Sequence, residues 1–223
     1  MDLDIATLRT GLIYFFLIGS SLCLRSYAQA WVATKLGDPT PRLEGRLTAN
    51  PLPHVDLMGT VVMPLIFIFY LQPALNSQGL TMFLGWAKPV PINPHNFKHP
   101  TRDAVITQFA GFGMGLLILT VGAVLGGLLW RMGQPELTGI CEALMGINAS
   151  LMVFDLLPIP PLPGGGLLRH LGYISEETYW NIARWSGLVL IILINLKPFV
   201  IAFVIMRGLI LLPFHLLMQA LTL

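Results

Sequence analysis

Charge is scarce in this sequence. Lys and Arg number 13 and Asp and Glu number 11 among 223 residues, so 11% of the chain is charged and the net charge is +2. This is less than half the charged fraction of a typical soluble domain. A net charge so small and so dispersed excludes the extended basic surface that nucleic-acid binding requires.

Cysteine and metal-binding motifs are scarce as well. The two cysteines, Cys23 and Cys141, lie in apolar segments without the spacing of paired ligands, which favours buried thiols over a disulfide or a zinc knuckle. The chain also lacks His-Glu-x-x-His, the helical motif that presents two imidazoles to zinc beside a general base.

Apolar residues are abundant instead. They make up 55% of the chain, and the mean hydropathy is +0.73. Because about 20 apolar residues cross a bilayer as a helix, the sequence predicts an all-α polytopic membrane protein of about five or six transmembrane segments, in a single domain over residues 1–223. The four clearest spans are residues 5–33, 55–70, 104–130 and 137–157.

The C-terminal apolar stretch, residues 182–221, is about twice the length of one span. Lys197 and Pro198 lie in its middle, and proline removes a helical hydrogen bond, so the pattern predicts two helices or one kinked helix. Residues 174–185 just before it combine charged side chains with Tyr179, Trp180 and Trp185. This composition is typical of a segment at the membrane surface.

The connection after the first span is rich in turn-forming residues and predicts a loop or short hairpin over residues 36–51. A second connection, residues 83–91, is apolar but interrupted by proline, and could enter the membrane only where protein or water shields its backbone. Small residues in the third span favour close packing of helices within the chain. They are Gly111, Gly113, Gly115, Gly122, Gly126 and Gly127.

An ordered series of motifs resembles the bacterial small-subunit branch of the site-2 proteases, a family of intramembrane zinc metallopeptidases. Residues 154–165 read FDLLPIPPLPGG, which is similar to the family's NLLPIPPLDGG. Further matches follow in the family's order: GDPT at 37–40, GRLT at 45–48, NPL at 50–52, HVD at 54–56 and GWAKPVP at 85–91. Together they cover most of residues 23–170, and the resemblance implies an integral protein of the bacterial inner membrane.

Every chemical position of the family's site is changed. Counting back from GDPT places the family's His-Glu-x-x-His-Ala on residues 25–30, where Arg25 replaces the first His, Ser26 the Glu and Gln29 the second His. Pro163 stands where the family has its third zinc ligand, and Asp155 replaces an Asn. The resemblance thus predicts a degenerate site without zinc or any other cofactor, in which the glycines of residues 164–166 serve a sharp turn, not a phosphate cradle.

Arg25 lies deep in an apolar span, where an unpaired charge costs about 2.5–3.5 kcal/mol on insertion scales. One interpretation is an intramembrane ion pair with Asp155, or with Glu142 as the alternative partner. The others are snorkelling to the interface and direct binding of an anion from a ligand or partner.

Three functions stay open at this stage. The first is an inactive site-2 protease homologue that is a scaffold, regulator or accessory subunit of a membrane complex, with lipids and other integral membrane proteins as partners. The second is an active protease with rearranged zinc ligands drawn from His54, His95, His99, Asp56 and Asp155. The third is a carrier with a solute path along Arg25, Gln29 and Asp155.

Overall fold

The computed structural model of the protein describes residues 5–66, 68 and 85–222, and every regular element in those ranges is helical. The α-helices are α1 (Ile5–Leu36), α2 (Thr40–Leu43), α3 (Met63–Ile66), α4 (Pro100–Arg131), α5 (Pro135–Leu156), α6 (Pro163–His170), α7 (Glu176–Ile194) and α8 (Lys197–Thr222). Short 3₁₀ turns occupy Leu52–His54 and Pro94–Asn96, and a wider π-type turn, Leu57–Val62, leads into α3. The prediction of an all-α protein is confirmed.

Four helices are long and apolar enough to cross a membrane: α1 from Leu8, α4, α5 and α8. The predicted second span begins as the shorter apolar helix Leu57–Ile66, and its remaining residues lie largely outside the described ranges, as do Phe83 and Leu84 of the second connection. The described residues therefore supply four candidate spans and one shorter apolar helix, consistent with an all-α polytopic membrane protein.

The C-terminal stretch forms two helices. A turn at Asn195 and Leu196 separates α7 from α8, and Pro198 takes the second position of α8, where its lack of an N–H costs nothing. The first half of α7 is polar, with Glu176, Glu177 and Arg184, and α7 is not among the four candidate spans. The segment predicted to lie at the membrane surface is thus the start of a longer helix.

The core of the bundle is built around α5. Helix α4 packs against α1, α5 and α8, and α5 also contacts α1 and α8. Fully buried side chains and small residues from α4, α5 and α8 fill the centre, including Leu119, Ala123, Met145, Ala149 and Met152. The second half of α5 is consequently buried on all sides, so protein and not lipid surrounds it.

The connection after α1 contains one helical turn, α2, and not paired strands. Asp38 fastens it to the stretch before α4: its carboxylate accepts hydrogen bonds from the Asn93 N–H (2.7 Å), Asn96 Nδ2 (2.8 Å) and the Thr40 hydroxyl (2.6 Å). Burial alone would raise the pKa of Asp38, but these donors outweigh it and hold the pKa below its usual value.

Candidate functional site

Helix α1 carries the altered site positions at its buried centre. Arg25 and Ser26 are only 6% and 5% exposed, and Gln29 is partly buried. Since residues four apart share one face of a helix, Arg25 and Gln29 both point toward the neighbouring helices α4 and α5. Because α1 is one continuous apolar helix packed against its neighbours, these polar groups lie in the interior of the bundle.

Arg25 and Asp155 form an ion pair between α1 and the last turn of α5. Arg25 Nη2 contacts Asp155 Oδ2, and the two side chains are 7% and 15% exposed. The structure therefore brings together the pair suggested by the sequence, with Arg25 directed inward and not toward an interface. Glu142, the alternative partner, lies nearly four turns earlier on α5 and is exposed.

Close packing on α4 makes room for the guanidinium. A Cβ added at Gly115 would lie 2.8 Å from Arg25 Nη1 and 3.0 Å from Met152, so a larger residue there would require the Arg25 or Met152 side chain to shift. Arg25 Nη1 is buried and has no hydrogen-bond partner among the described residues. The Nη2 atom of Arg25 thus contacts the Asp155 carboxylate, whereas the Nη1 atom lies beside Gly115.

Gln29 is held by a residue that the sequence reasoning missed. Its Nε2 donates a hydrogen bond to the Gln108 backbone oxygen at 3.1 Å, and a Cβ at Gly111 would lie 3.2 Å from the same nitrogen. The side chain of Gln108 in turn lies against Gly166 of α6. The polarity of Gln108 within an apolar run indicates only that its side chain faces the protein interior. The use of its backbone oxygen as an acceptor leaves no signal in the sequence.

Pro163 begins α6, a short helix that packs against α4, α5 and α7; within the described ranges no packing between α6 and α1 is found. Gln108 separates Gln29 from this helix, as the contacts with Gly166 indicate. The structure therefore joins Arg25 to Asp155 but does not bring Pro163 against α1.

The glycines that open α6 allow a very tight corner. A Cβ at Gly164 would collide with the backbone of Leu157, and one at Gly165 with the backbone of Pro160. These are collisions with main chain, which cannot rotate away. These glycines lie within the first turns of α6, where they allow close approach to the main chain of residues 156–160. This packing explains Gly164 and Gly165 without a phosphate cradle.

The histidines and acids of the rearranged-ligand hypothesis stay apart. His54 is buried and donates from Nε2 to the Thr48 oxygen at 2.9 Å, while His95 and His99 are exposed. Asp56 accepts a hydrogen bond from the Gly59 N–H at 2.7 Å. In residues 5–66, 68 and 85–222, no three His, Cys, Asp or Glu side chains lie close enough to hold a metal ion.

Comparison with known proteins gives three relatives. The chain is 29% identical over 185 residues to "Putative zinc metalloprotease YwhC" of Bacillus subtilis, which covers 80% of this chain and 77% of that protein. It is 27% identical to each of two proteins named "Putative zinc metalloprotease Rip2", from Mycolicibacterium smegmatis and Mycobacterium tuberculosis. The matches cover 78% and 80% of this chain but only 63% and 64% of those two proteins.

The resemblance to the site-2 protease family is confirmed. No family model matches the chain, and no solved structure matches it. The relationship therefore stands on the curated relatives and on the ordered motifs.

The residues at the site-2 protease positions do not fit zinc. Zinc in proteins takes thiolate, imidazole or carboxylate ligands, and the positions in question hold a guanidinium, a hydroxyl, an amide and a pyrrolidine ring. Asp155 is the nearby carboxylate, and its oxygen is already engaged by Arg25. The arrangement can hold two helices together, but it offers neither a ligand set nor a general base.

Proposed function

We propose that this chain is a catalytically inactive site-2 protease homologue that acts as a scaffold, regulator or accessory subunit of a membrane protein complex. One observation carries the proposal: the Arg25–Asp155 ion pair lies where the family's metal ligands are expected on α1. A guanidinium there supplies a positive charge and no lone pair, so it opposes a divalent cation.

The surrounding chemistry supports the same conclusion. Ser26 cannot replace a carboxylate as general base at neutral pH, since a serine hydroxyl keeps its proton there. The side-chain amide of Gln29 donates a hydrogen bond to the Gln108 backbone oxygen in α4. We infer that the chain works without zinc or another cofactor.

The proposed setting is the bacterial inner membrane, with lipids and other integral membrane proteins as partners and no role for nucleic acid. The four apolar spans and the bacterial relatives support this setting. We infer a subunit role because the family's surrounding sequence motifs are retained although its reactive residues are replaced.

Cleavage of a transmembrane peptide tests the proposal. The full-length chain is placed in liposomes with fluorogenic transmembrane peptides, beside the Bacillus subtilis relative as an assay control. A matched variant restores the family's residues: Arg25→His, Ser26→Glu, Gln29→His, Asp155→Asn and Pro163→Asp. We expect no chelator-sensitive cleavage by the unmodified chain.

Chelator-sensitive cleavage would contradict this expectation, and a variant would then show where it occurs. Chelator-sensitive turnover by the unmodified chain would establish the rearranged-ligand protease. Turnover that the Arg25→Leu variant retains would show in addition that the altered family site has no part in it. The restored variant reports whether the scaffold can still carry the family's chemistry once the ligands are returned.

A further inference from the structure

Residues 37–56 and 85–99 meet at one end of the helix bundle. Asp38 joins the two stretches through the hydrogen bonds that it accepts from Asn93 and Asn96. The end of α1 and the start of α4 pack together at the same place. Both connections therefore belong to one surface, here called the loop end.

The loop end carries four exposed basic side chains. Lys35, Arg42 and Lys98 are exposed and form no ion pair within the described ranges. Arg102 is 64% exposed, although its Nε also contacts Asp103 at 2.9 Å. These four basic residues are called the basic rim.

The acids at the loop end are used inside the protein. Asp38 and Asp103 are buried, and Asp56 is partly buried. Each of the three carboxylates accepts a hydrogen bond from a backbone N–H of the same end. In the two connections, which the structure describes throughout, Glu44 is the single exposed acid. The surface that the loop end presents is therefore strongly basic.

The basic rim lies at the depth of lipid headgroups. From Arg102 to Arg131, α4 rises about 43 Å, which matches the roughly 40–45 Å of a bilayer with its headgroups. On α1, Trp31 is 48% exposed one turn before Lys35, and Lys35 Nζ lies 5.8 Å from the centre of its ring. An exposed tryptophan followed by a cation is typical of the membrane interface.

The opposite end of the bundle carries less positive charge. Its Lys and Arg residues are Arg9 and Arg131, and Arg9 contacts Glu136 at 3.3 Å. The loop end has six such residues, namely the basic rim together with Arg46 and Lys88. All 13 Lys and Arg residues of the chain lie in the described ranges, so the comparison omits none.

The remaining basic residues do not alter this asymmetry. Arg25 and Arg207 lie within the membrane helices α1 and α8. The other three lie on the loop-end half of the bundle, because α6 lies against Gln108 of α4 and both α7 and the start of α8 pack on the end of α5. They are Arg169, Arg184 and Lys197.

We propose that the basic rim binds the anionic phospholipid headgroups of the cytoplasmic leaflet. Basic residues beside membrane helices are retained on the cytoplasmic side, and anionic headgroups attract such residues at the surface. This inference rests on the membrane setting of the proposed function and specifies the lipid class and the orientation. It does not depend on the lack of catalysis.

Native mass spectrometry of the full-length chain in nonionic detergent measures the headgroup preference. Dioleoyl phosphatidylglycerol and dioleoyl phosphatidylcholine, which share their acyl chains, are titrated separately, and the mass of each complex gives the number of bound lipids. A basic residue near an anionic surface contributes about fivefold in affinity. With one or two rim residues at a headgroup, we expect phosphatidylglycerol to bind about five- to thirtyfold more tightly.

Matched variants locate the preference. Lys35→Gln/Lys98→Gln removes two rim charges and should lower the affinity for phosphatidylglycerol at least about fivefold, whereas Lys35→Arg/Lys98→Arg keeps the charges and should keep the affinity. Arg9→Gln/Arg131→Gln removes two charges from the opposite end and should leave most of the preference intact. Equal affinity of the unmodified chain for the two lipids, or an equal loss in the two Gln variants, would overturn the proposal.

Cysteine labelling tests the side of the membrane. In a Cys23→Ala/Cys141→Ala background, His95→Cys marks the loop end and Met132→Cys the opposite end, and both positions are exposed. In spheroplasts, a membrane-impermeant maleimide should label position 132 directly but position 95 only after permeabilisation. Labelling of position 95 in intact spheroplasts would contradict the cytoplasmic assignment. Neither assay contains a peptide substrate, so a failure here is distinct from a failure of the proposed inactive function.

Discussion

Replacing Asp155 should destabilise the protein more than replacing its ion-pair partner Arg25. In Asp155→Leu, Arg25 stays charged and buried, because an arginine does not lose its proton in proteins. Removing one partner of a buried pair costs about 3–5 kcal/mol. In Arg25→Met the remaining Asp155 is 15% exposed near a helix end and can neutralise by taking a proton. We expect a smaller loss there, of about 1–3 kcal/mol.

The double variant Arg25→Met/Asp155→Leu removes both charges and places an apolar side chain at each position. Replacing a buried ion pair by apolar residues is often neutral or stabilising. We therefore expect the free energy of unfolding of the double variant to be no more than about 1 kcal/mol below that of the unmodified chain. Thermal unfolding in detergent, followed by circular dichroism, measures this at about 2–4 °C per kcal/mol for a chain of this size. A double variant as unstable as Asp155→Leu would refute the reasoning, since the two residues would then act independently.

Three further predictions follow. Gly115→Ala forces a methyl group against Arg25 and should cost about 1–3 kcal/mol in thermal unfolding, whereas Gly113→Ala, with nothing within 4 Å, should be neutral or stabilising. Gly165→Ala collides with main chain and should abolish accumulation of folded protein, measured by detergent size-exclusion chromatography. Because the pKa of Asp38 is lowered by folding, its stabilisation is present at neutral pH and is lost as the pH falls through the folded pKa. Asp38→Asn should therefore flatten the acid limb of a stability–pH curve, and an unchanged limb would contradict this assignment.

Much of the fold could be predicted from the sequence because bilayer thickness dictates span length. The first, third and fourth predicted spans became α1, α4 and α5, each somewhat longer than its apolar run. The break before Pro198 was readable from proline chemistry. The helical turn α2 was not, since four residues of turn-forming composition do not distinguish a hairpin from a single turn.

The site was only partly predictable. Arg25 and Asp155 stood out because a membrane-buried charge needs a partner. Gln108 and the fit of Gly115 against the guanidinium depend on how α4 is rotated about its axis, which its nearly uniform apolar sequence does not specify.

Zinc content tests the central claim most directly. The chain is expressed in zinc-supplemented cells, purified in detergent without chelator beside the Bacillus subtilis relative, and analysed by inductively coupled plasma mass spectrometry. The ion pair at Arg25 predicts far less than one zinc per chain, unchanged in Arg25→Leu. A stoichiometric zinc ion that survives dialysis and is removed only by chelation would contradict the account.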